Sequence, residues 1–363
     1  MYQLVSADGS YQIEKGRIPL VYGDIGISTE VFDFLDNAPN RCGVYTLELY
    51  FDGVLMYRHR MDEVPFSETR YINAHIDYEE RIINSTKAHK LFRLPNNPLK
   101  IYEHMENEGI ISINDAEIHD IKIIAGDVTG NKSQLNFKLK GMPADDYAIQ
   151  KGEFTHMPYN IVNLFSDKGM KLSIPSYALY EDLNFSFSRV PGTEGLYSDV
   201  FCIHKKEVPL HKPFLLSIVP ENLADDLTGK ALIVSVDDNL NITSAGGGYK
   251  NGMVESEIRN FGRYSIAVDT IAPEIIPVNH NPSGDYAGKS SIKFIIKDNL
   301  SGIEKYDGYI DNIWVLFEYD LKNNLISYSF DDRIKEKNTR YELELYVSDA
   351  KGNVTLYHTT FTR

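Results

Sequence analysis

Histidines are the first residues to test for chemistry, because imidazole binds transition metals and titrates near neutral pH. The chain has ten histidines but contains no H-E-x-x-H, H-x-H or C-x-x-C pattern. His59 and Asp62 lie one residue closer together than an H-x-x-x-D motif requires. His75 and Asp77 lie two apart in a predicted helix, where such neighbours point to different faces. The spacing therefore predicts no metal ligands, and a zinc site assembled from distant residues is the alternative.

The other candidates for catalysis are isolated residues. The serines form no G-x-S-x-G elbow. Cys42 has Arg41 beside it, but the sequence places no histidine nearby to activate the thiol. Carboxylate pairs such as Asp225-Asp226 fall in predicted turns, where they are usually solvated. We therefore predict that this chain is not an enzyme and has no catalytic residues.

No cofactor is expected. The glycine triplet at 246–248 follows a predicted strand, but it opens no helix and contains no lysine, so it does not predict a phosphate loop. Asp237, Asp238 and Asn241 offer the hard oxygen ligands that calcium prefers. Their spacing is not that of an EF-hand, and turns of this type form without an ion. Calcium is therefore the weaker alternative to having no bound ion.

Composition limits the partners and the location. With 42% hydrophobic and 25% charged residues, the 363-residue chain has the composition of a globular protein of two or three domains. The formal net charge of −15 argues against nucleic acid and anionic lipid as partners. No apolar run predicts a transmembrane segment, and residues 1–6 have neither the basic start nor the apolar stretch of an export signal. Cys42 and Cys202 are predicted to be two free thiols.

Alternating apolar and polar residues predict an all-β fold of repeated modules. The sequence D-x-x-G-N occurs at 127–131 and again at 349–353, each time between two alternating runs. Recurrence in matching contexts favours a repeated unit over two unrelated turns. We predict three tandem Ig-like β-sandwich modules, at 1–141, 142–271 and 272–363.

Two local features interrupt or connect these modules. Ile72, Ile76 and Ile83 recur at helical spacing, which predicts a short helical insert in the first module over about 67–110. Within it, residues 98–108 begin with proline and precede Gly109, as a second short helix would. In the middle module, the glycine triplet at 246–248 predicts a hairpin.

Several phrases resemble the region that follows the catalytic domain in bacterial lysostaphin/LytM-like zinc endopeptidases, which cut peptidoglycan cross-bridges. In that family several β-sandwich modules follow a catalytic domain whose zinc ligands lie in H-x-x-x-D and H-x-H motifs. Neither motif is present here, so the resemblance implies a C-terminal β-sandwich region without the catalytic domain, and zinc only in that absent domain. The phrases are Y-G-D-I-G-I at 22–27, N-R-C-G-V-Y at 40–45, F-S-E-T-R-Y-I-N at 66–73 and H-I-D-Y at 75–78.

A fainter resemblance concerns the middle module. L-S-I-P-S-Y-A-L at 172–179 and K-P-F-L-L-S-I at 212–218 are similar to the sandwich domain shared by zonula occludens proteins and netrin receptors. Some relatives of that domain cleave themselves at a His-Phe-Ser step. Here Asn184 precedes Phe185-Ser186 where those relatives have histidine, so self-cleavage is not expected.

These observations lead to two main functional hypotheses. In the first, the modules target, space or regulate a cell-envelope peptidoglycan endopeptidase, in cis if the natural chain is longer, or they bind an envelope glycan or protein. The resemblance then implies a periplasmic, envelope or secreted location. In the second, the chain is a stand-alone carbohydrate-binding or adhesive protein. A hydrolase with a site formed between modules is a third and weaker hypothesis.

A binding role requires an exposed group of aromatic rings. The third module offers four tyrosines as the candidate binding surface, whereas Trp314, in an apolar run, is expected in the core. The four candidates are Tyr286, Tyr306, Tyr309 and Tyr319.

Overall fold

The computed structural model describes residues 2–7, 10–14, 17–35, 39–142, 154–279, 284–286, 288–332, 334 and 339–362. The first residues of the predicted middle module, 143–153, lie outside this range. Strands dominate the described residues, and three tandem β-sandwich modules confirm the predicted all-β fold. Among these residues, no helix has the length and apolar character to span a membrane.

The first module is built on an 8-stranded sheet in the order β1-β2-β14-β13-β8-β9-β11, with β3 beside β14. Smaller sheets, β10-β5, β12-β4 and β6-β7, accompany it. Leu47 and Leu49 of β8 share a buried cluster with Ile111 and Ile113 of β12, so the core lies between the layers. The strands are β1 (Leu4–Ala7), β2 (Ser10–Ile13), β3 (Leu20–Val21), β4 (Gly23–Ile25), β5 (Ser28–Glu30), β6 (Asp33–Phe34), β7 (Arg41–Cys42), β8 (Thr46–Phe51), β9 (Val54–Arg60), β10 (Ala88–Lys90), β11 (Tyr102–Met105), β12 (Ile111–Ile113), β13 (Ile118–Gly126) and β14 (Lys132–Gly141).

The helical insert is present but shorter than predicted. It consists of a 3-10 helix (Phe66–Tyr71), α1 (Ile72–His75) and α2 (Tyr78–Asn84). Asp77 begins α2 by accepting a 3.2 Å hydrogen bond from the Glu80 N–H. The second predicted helix, at 98–108, is wrong, because four of its residues form β11 and pair with β9. A helix this short has little stability of its own, so the main-chain hydrogen bonds to a sheet edge prevail.

The middle module is a sandwich of two 5-stranded sheets, β16-β17-β21-β25-β24 and β19-β20-β26-β22-β23, with β15 paired to β18. The predicted hairpin at 246–248 is wrong, since β23 and β24 on either side of Gly247 belong to different sheets. A Cβ on Gly247 would lie 2.1 Å from the Glu255 carbonyl oxygen, so the crossing requires glycine. The strands are β15 (Thr155–Met157), β16 (Asn163–Asp167), β17 (Met170–Ile174), β18 (Leu183–Phe185), β19 (Phe187–Val190), β20 (Val200–Ile203), β21 (Phe214–Ile218), β22 (Ala231–Val236), β23 (Ile242–Gly246), β24 (Gly248–Lys250), β25 (Met253–Ile258) and β26 (Gly262–Val268). A 3-10 helix spans Asp225–Lys230.

The third module packs two 4-stranded sheets, β27-β28-β32-β31 and β30-β29-β33-β34. Its core includes Phe294, Phe317, Leu345 and Phe361, all buried. The strands are β27 (Glu274–Pro277), β28 (Ser291–Lys297), β29 (Ile303–Ile310), β30 (Ile313–Val315), β31 (Glu318–Asp320), β32 (Leu325–Ser329), β33 (Arg340–Asp349) and β34 (Val354–Thr362). Short 3-10 helices span Asn107–Gly109 in the first module and Leu321–Asn323 here.

The insert contacts the middle module. The Tyr71 ring stacks on His211, with centroids 4.0 Å apart. The Tyr180 hydroxyl donates a 2.8 Å hydrogen bond to the Arg70 carbonyl oxygen, and the Arg70 guanidinium donates a 3.0 Å bond to the Leu210 carbonyl oxygen. The insert therefore connects the large sheet of the first module to the middle sandwich.

Candidate functional site

The solvent-facing side of the β30-β29-β33-β34 sheet carries a group of aromatic rings. Because alternate residues of a strand face opposite sides, burial of Gly308 and Ile310 places Asp307 and Tyr309 outward. Tyr309 lies directly opposite Trp314 on β30, and Asp307 lies opposite Tyr346 on β33. Directly opposed residues in an antiparallel pair share a face. We call Tyr309, Trp314 and Tyr346 the aromatic platform.

Polar groups fix the rings of the aromatic platform. The Trp314 indole N–H donates a 3.3 Å hydrogen bond to the Asp307 carboxylate, which also forms a 2.6 Å ion pair with Lys305. Lys305 first, and then the indole N–H, hold the pKa of Asp307 below its ordinary value. The Tyr309 and Tyr346 rings meet edge to face at 6.0 Å. The indole plane and both phenol rings are therefore held in place before any ligand arrives.

An open groove of about 500 Å³ runs along this face. Trp314 is 48% exposed and Tyr346 37% exposed, so both rings are available to a ligand. The groove lining combines apolar ring surface with hydrogen-bonding side chains, a combination typical of binding sites. The groove is lined by Lys305, Asp307, Tyr309, Asn312, Glu344, Tyr346, Ser348 and Val354.

The four tyrosines predicted to form one exposed surface lie in different environments in the structure. Tyr286 is 2% exposed and lies in the core against Phe361, so its predicted place on an exposed surface is wrong. Tyr306 and Tyr319 pack against the core and meet each other at 5.5 Å. Tyr309 alone of the four lies on the aromatic platform.

Sequence reasoning misplaced one platform residue and missed another. Trp314 was predicted in the core, but it faces solvent while Val315 beside it is buried. Tyr346 is not among the predicted surface residues, although its strand alternates strictly, with Leu345 and Val347 buried on either side of it. That alternation is the signal that would have found Tyr346.

A second cluster lies in the first module, where the insert meets the sheet. His59 of β9, His75 of α1 and His89 of β10 each offer a ring nitrogen, and the three nitrogens lie within 4.8 Å of one another. His59 and His75 have no exposed surface. His75 Nε2 and His89 Nδ1 are 3.1 Å apart. The structure thus brings together three histidines that sequence spacing does not connect, and we call them the histidine cluster.

Burial keeps the histidine cluster uncharged. Desolvation lowers the pKa of His59 to about 3, and it also lowers the pKa values of His75 and His89. Neutral imidazole carries the free lone pair that a metal ligand requires. The prediction of no metal ligands came from local motifs and stays a prediction.

A third cluster is acidic and lies where the middle and third modules meet. The carboxylates of Asp269, Asp298 and Asp349 approach within 4.8 Å, and Asp269 and Asp349 are buried. Backbone N–H groups satisfy much of this charge: Ser301 N donates to Asp269, and Asn353 N donates to Asp349. These carboxylates therefore organise the junction.

A Ser–His contact in the middle module was also not expected. Ser186 Oγ lies 3.1 Å from His204 Nδ1, which accepts the Ser186 backbone N–H as well. Burial lowers the pKa of His204 to about 4. The expectation that the Phe185-Ser186 bond does not cleave itself stays a prediction.

Comparison with known proteins gives one sequence match and distant structural similarities. No curated protein matches the sequence. Similar solved structures include a 1.5-MDa bacterial ice-binding adhesin (TM-score 0.18, 10% identity, covering 94% of this chain and 90% of that one). Others are SGBP-B of the Bacteroides ovatus mixed-linkage glucan utilization locus (TM-score 0.16, 12% identity, covering 99% of this chain and 69% of that one) and Sidekick-1 immunoglobulin domains 1–4 (TM-score 0.19, 9% identity, covering 99% of this chain and 80% of that one). Such TM-scores are too low to indicate function.

The sequence match concerns the middle module. It agrees with the fainter resemblance noted for residues 172–179 and 212–218, whereas the resemblance to lysostaphin-like endopeptidases gains no support and stays a prediction. Residues 154–269 match the family model of the Zu5-like domain.

Proposed function

We propose that this chain is a non-catalytic binding protein and that the aromatic platform binds a neutral polysaccharide. The observation that carries the proposal is the group of pre-oriented rings on the solvent-facing sheet, two of which, Tyr309 and Tyr346, line an open groove. The C–H face of a pyranose packs on an aromatic ring, and its hydroxyls bond to carboxylate and amide groups at the rim. Here Asp307, Glu344 and Asn312 supply the polar rim.

Charge favours a neutral ligand over an acidic one. The groove is lined by two carboxylates and one lysine, and the lysine is already paired with Asp307. The chain as a whole carries a formal charge of −15. A polyuronate would be repelled by both the groove and the whole molecule.

The single tryptophan makes the test direct, because Trp314 is the only one in the chain and lies on the platform. We expect neutral glucans or mannans to change its fluorescence saturably, and polygalacturonate to leave it unchanged. Tyr309→Ala should weaken binding about tenfold, equivalent to about 1.4 kcal/mol, because one stacking surface is lost.

Tyr249→Ala is the matched control, since Tyr249 is a 43% exposed tyrosine in the middle module. It should leave the affinity unchanged. Binding that is equally weakened by both variants, or no saturable change with any neutral glycan, would reject the platform as the site.

The same variants distinguish the two kinds of biological role. An accessory of a peptidoglycan endopeptidase should be retained on purified peptidoglycan, and Tyr309→Ala should reduce that retention. A stand-alone adhesive or carbohydrate-binding protein should bind other neutral glycans in preference. Both roles place the protein in the envelope or outside the cell, which is part of this proposal.

A further inference from the structure

One ring nitrogen of the histidine cluster has no hydrogen-bond partner among the described residues. This nitrogen, His59 Nε2, is buried. Leaving a buried polar atom unpaired costs free energy, so a retained one calls for an explanation. Ring nitrogens of His75 and His89 lie within 4.8 Å of the nitrogen that His59 offers.

We propose that His59, His75 and His89 form a binding site for a divalent transition-metal ion, with Zn²⁺ as the reference ion. In a tetrahedral zinc site with Zn–N bonds of 2.0–2.1 Å, ligand nitrogens lie about 3.3–3.4 Å apart. His75 Nε2 and His89 Nδ1 are already 3.1 Å apart. Small rotations of buried rings bring the third nitrogen to the same spacing, since all three lie within 4.8 Å.

Hydrogen bonds on the far side of two rings support this assignment. His59 Nδ1 lies 3.0 Å from the Tyr57 hydroxyl, and His75 Nδ1 lies 3.3 Å from the Tyr102 hydroxyl. If each Nδ1–H donates to its phenol oxygen, the Nε2 lone pair of that ring points into the cluster. Metal-binding histidines usually have such an outer partner, which fixes tautomer and orientation.

The Tyr102 oxygen can fill this role while it keeps its other bond. It accepts a 2.7 Å hydrogen bond from the Asn97 side-chain amide, and a phenol oxygen can accept a second one. The phenols also remain neutral, since burial raises the pKa of Tyr57 and of Tyr102.

The charges around the cluster permit a cation. Burial and the neighbouring histidines lower the pKa of His75 most, and the positive charge of Lys90, next to His89, adds to this effect. Glu181 and Asp77 oppose its charge. Three uncharged imidazoles suit zinc, copper, nickel and cobalt better than calcium or magnesium, which prefer oxygen ligands.

The elements that hold the three histidines suggest a structural role. A bound ion would join β9, α1 and β10, and α1 continues directly from the 3-10 helix whose Arg70 and Tyr71 contact the middle module. The metal would therefore hold the insert on the sheet and stabilise its contact with the neighbouring module.

The test uses the full chain after treatment with EDTA and titration with Co²⁺. One equivalent should produce intense visible absorption bands typical of four-coordinate cobalt, and one equivalent of Zn²⁺ should remove them. His89→Gln and His59→Gln should each weaken binding at least 100-fold. His156→Gln, at an exposed histidine in the middle module, is the matched control and should leave it unchanged.

A second measurement uses only the wild-type chain, so its result does not depend on whether the histidine variants fold. In ¹⁵N spectra of imidazole nitrogens, Zn²⁺ should shift three of the ten histidines of the wild-type chain. Absence of the intense bands, bands that survive both cluster variants, or shifts at a different set of histidines would each overturn the proposal.

Discussion

At the residue scale, one carboxylate organises each D-x-x-G-N turn. Asp127 accepts hydrogen bonds from the backbone N–H groups of Thr129 and Asn131, and from the Asn131 side-chain amide. Asn131 first, and then Thr129, hold the pKa of Asp127 at about 2. Asp349 makes the equivalent bonds to residues two and four positions later. The turn is therefore stabilised locally by its own side chains.

The same turn occurs a third time without its glycine. Asp237 accepts from the N–H groups of Asn239 and Asn241, and the Asn241 amide completes the pattern. Leu240 occupies the glycine position at φ 65°. A side chain in this left-handed region costs about 1–2 kcal/mol. The hydrogen bonds to the Asp237 carboxylate offset this cost.

Substitutions at the glycine position should have opposite effects in two of these turns. Gly352→Val should destabilise the third module by about 1–2 kcal/mol, because φ is 71° and nothing else obstructs a Cβ. Leu240→Asn should stabilise the middle module by about 0.5–1 kcal/mol, since asparagine tolerates this conformation and Leu240 is half exposed. Calorimetry of each variant measures both. Equal signs for the two changes would contradict the shared turn.

Sequence predicted these turns well because every bond in them spans four residues or fewer. The histidine cluster could not be predicted in the same way, since its members come from two strands and a helix up to 30 residues apart. The third turn does not match D-x-x-G-N, because Leu240 stands at the position where the motif requires glycine. Hydrogen bonds between near neighbours can be predicted from the sequence, whereas a cluster of side chains from distant elements cannot.

At the element scale, strict alternation predicted the sheets. The strand Arg340–Asp349 buries every second residue, as the sequence pattern indicates. Prediction was wrong where elements are short: Trp314 lies on a three-residue edge strand, and residues 98–108 give a strand instead of a helix. In such segments packing against a neighbour decides the conformation.

Packing under the aromatic platform gives a prediction for Gly308. A Cβ at this position would lie 2.3 Å from the buried Phe317 ring, so Gly308→Ala should destabilise the third module by about 1–3 kcal/mol. Urea unfolding followed by Trp314 fluorescence reports on this module directly. Gly43→Ala, in the first module where a Cβ meets nothing within 4 Å, is the control and should leave the Trp314 unfolding midpoint unchanged. An unchanged midpoint for Gly308→Ala would mean that the Phe317 ring moves freely.

At the scale of the whole molecule, the three largest cores each lie within one predicted module, at 44–139, 157–266 and 286–361. The boundaries predicted at 141 and 271 stay a prediction. Smaller groups cross between modules: Tyr180 joins Ala74 and Leu94, and Leu300 packs against Leu232 and Val234. The chain therefore consists of separate cores connected by small, mixed polar and apolar contacts.

The contact between the middle and third modules centres on the D-x-x-G-N turn of the third. The Lys230 ammonium donates to the Lys351 carbonyl oxygen at 2.7 Å and to the Asn353 side-chain oxygen at 2.6 Å. The Lys351 ammonium donates to the Gly247 carbonyl oxygen at 2.6 Å, and burial lowers the pKa of Lys351. The Asn353 amide bonds to the Asp269 carbonyl oxygen. The turn at 349–353, which connects β33 to β34, therefore also joins the third module to the middle module.

Removing the Lys230 ammonium should loosen this junction. Lys230→Met keeps the length of the side chain but loses two charge-assisted hydrogen bonds, so we expect a loss of about 1–3 kcal/mol. The thermal transition of the third module should fall by several degrees, and proteolysis near 269–273 should quicken. The first module should unfold as before, because the described hydrogen bonds of the Lys230 ammonium go to the third module. Lys250→Met, at an exposed lysine of the same module, should change neither quantity. If Lys230→Met behaves like this control, the two Lys230 bonds do not stabilise the junction, and its stability comes from the Lys351–Gly247 and Asn353–Asp269 bonds instead.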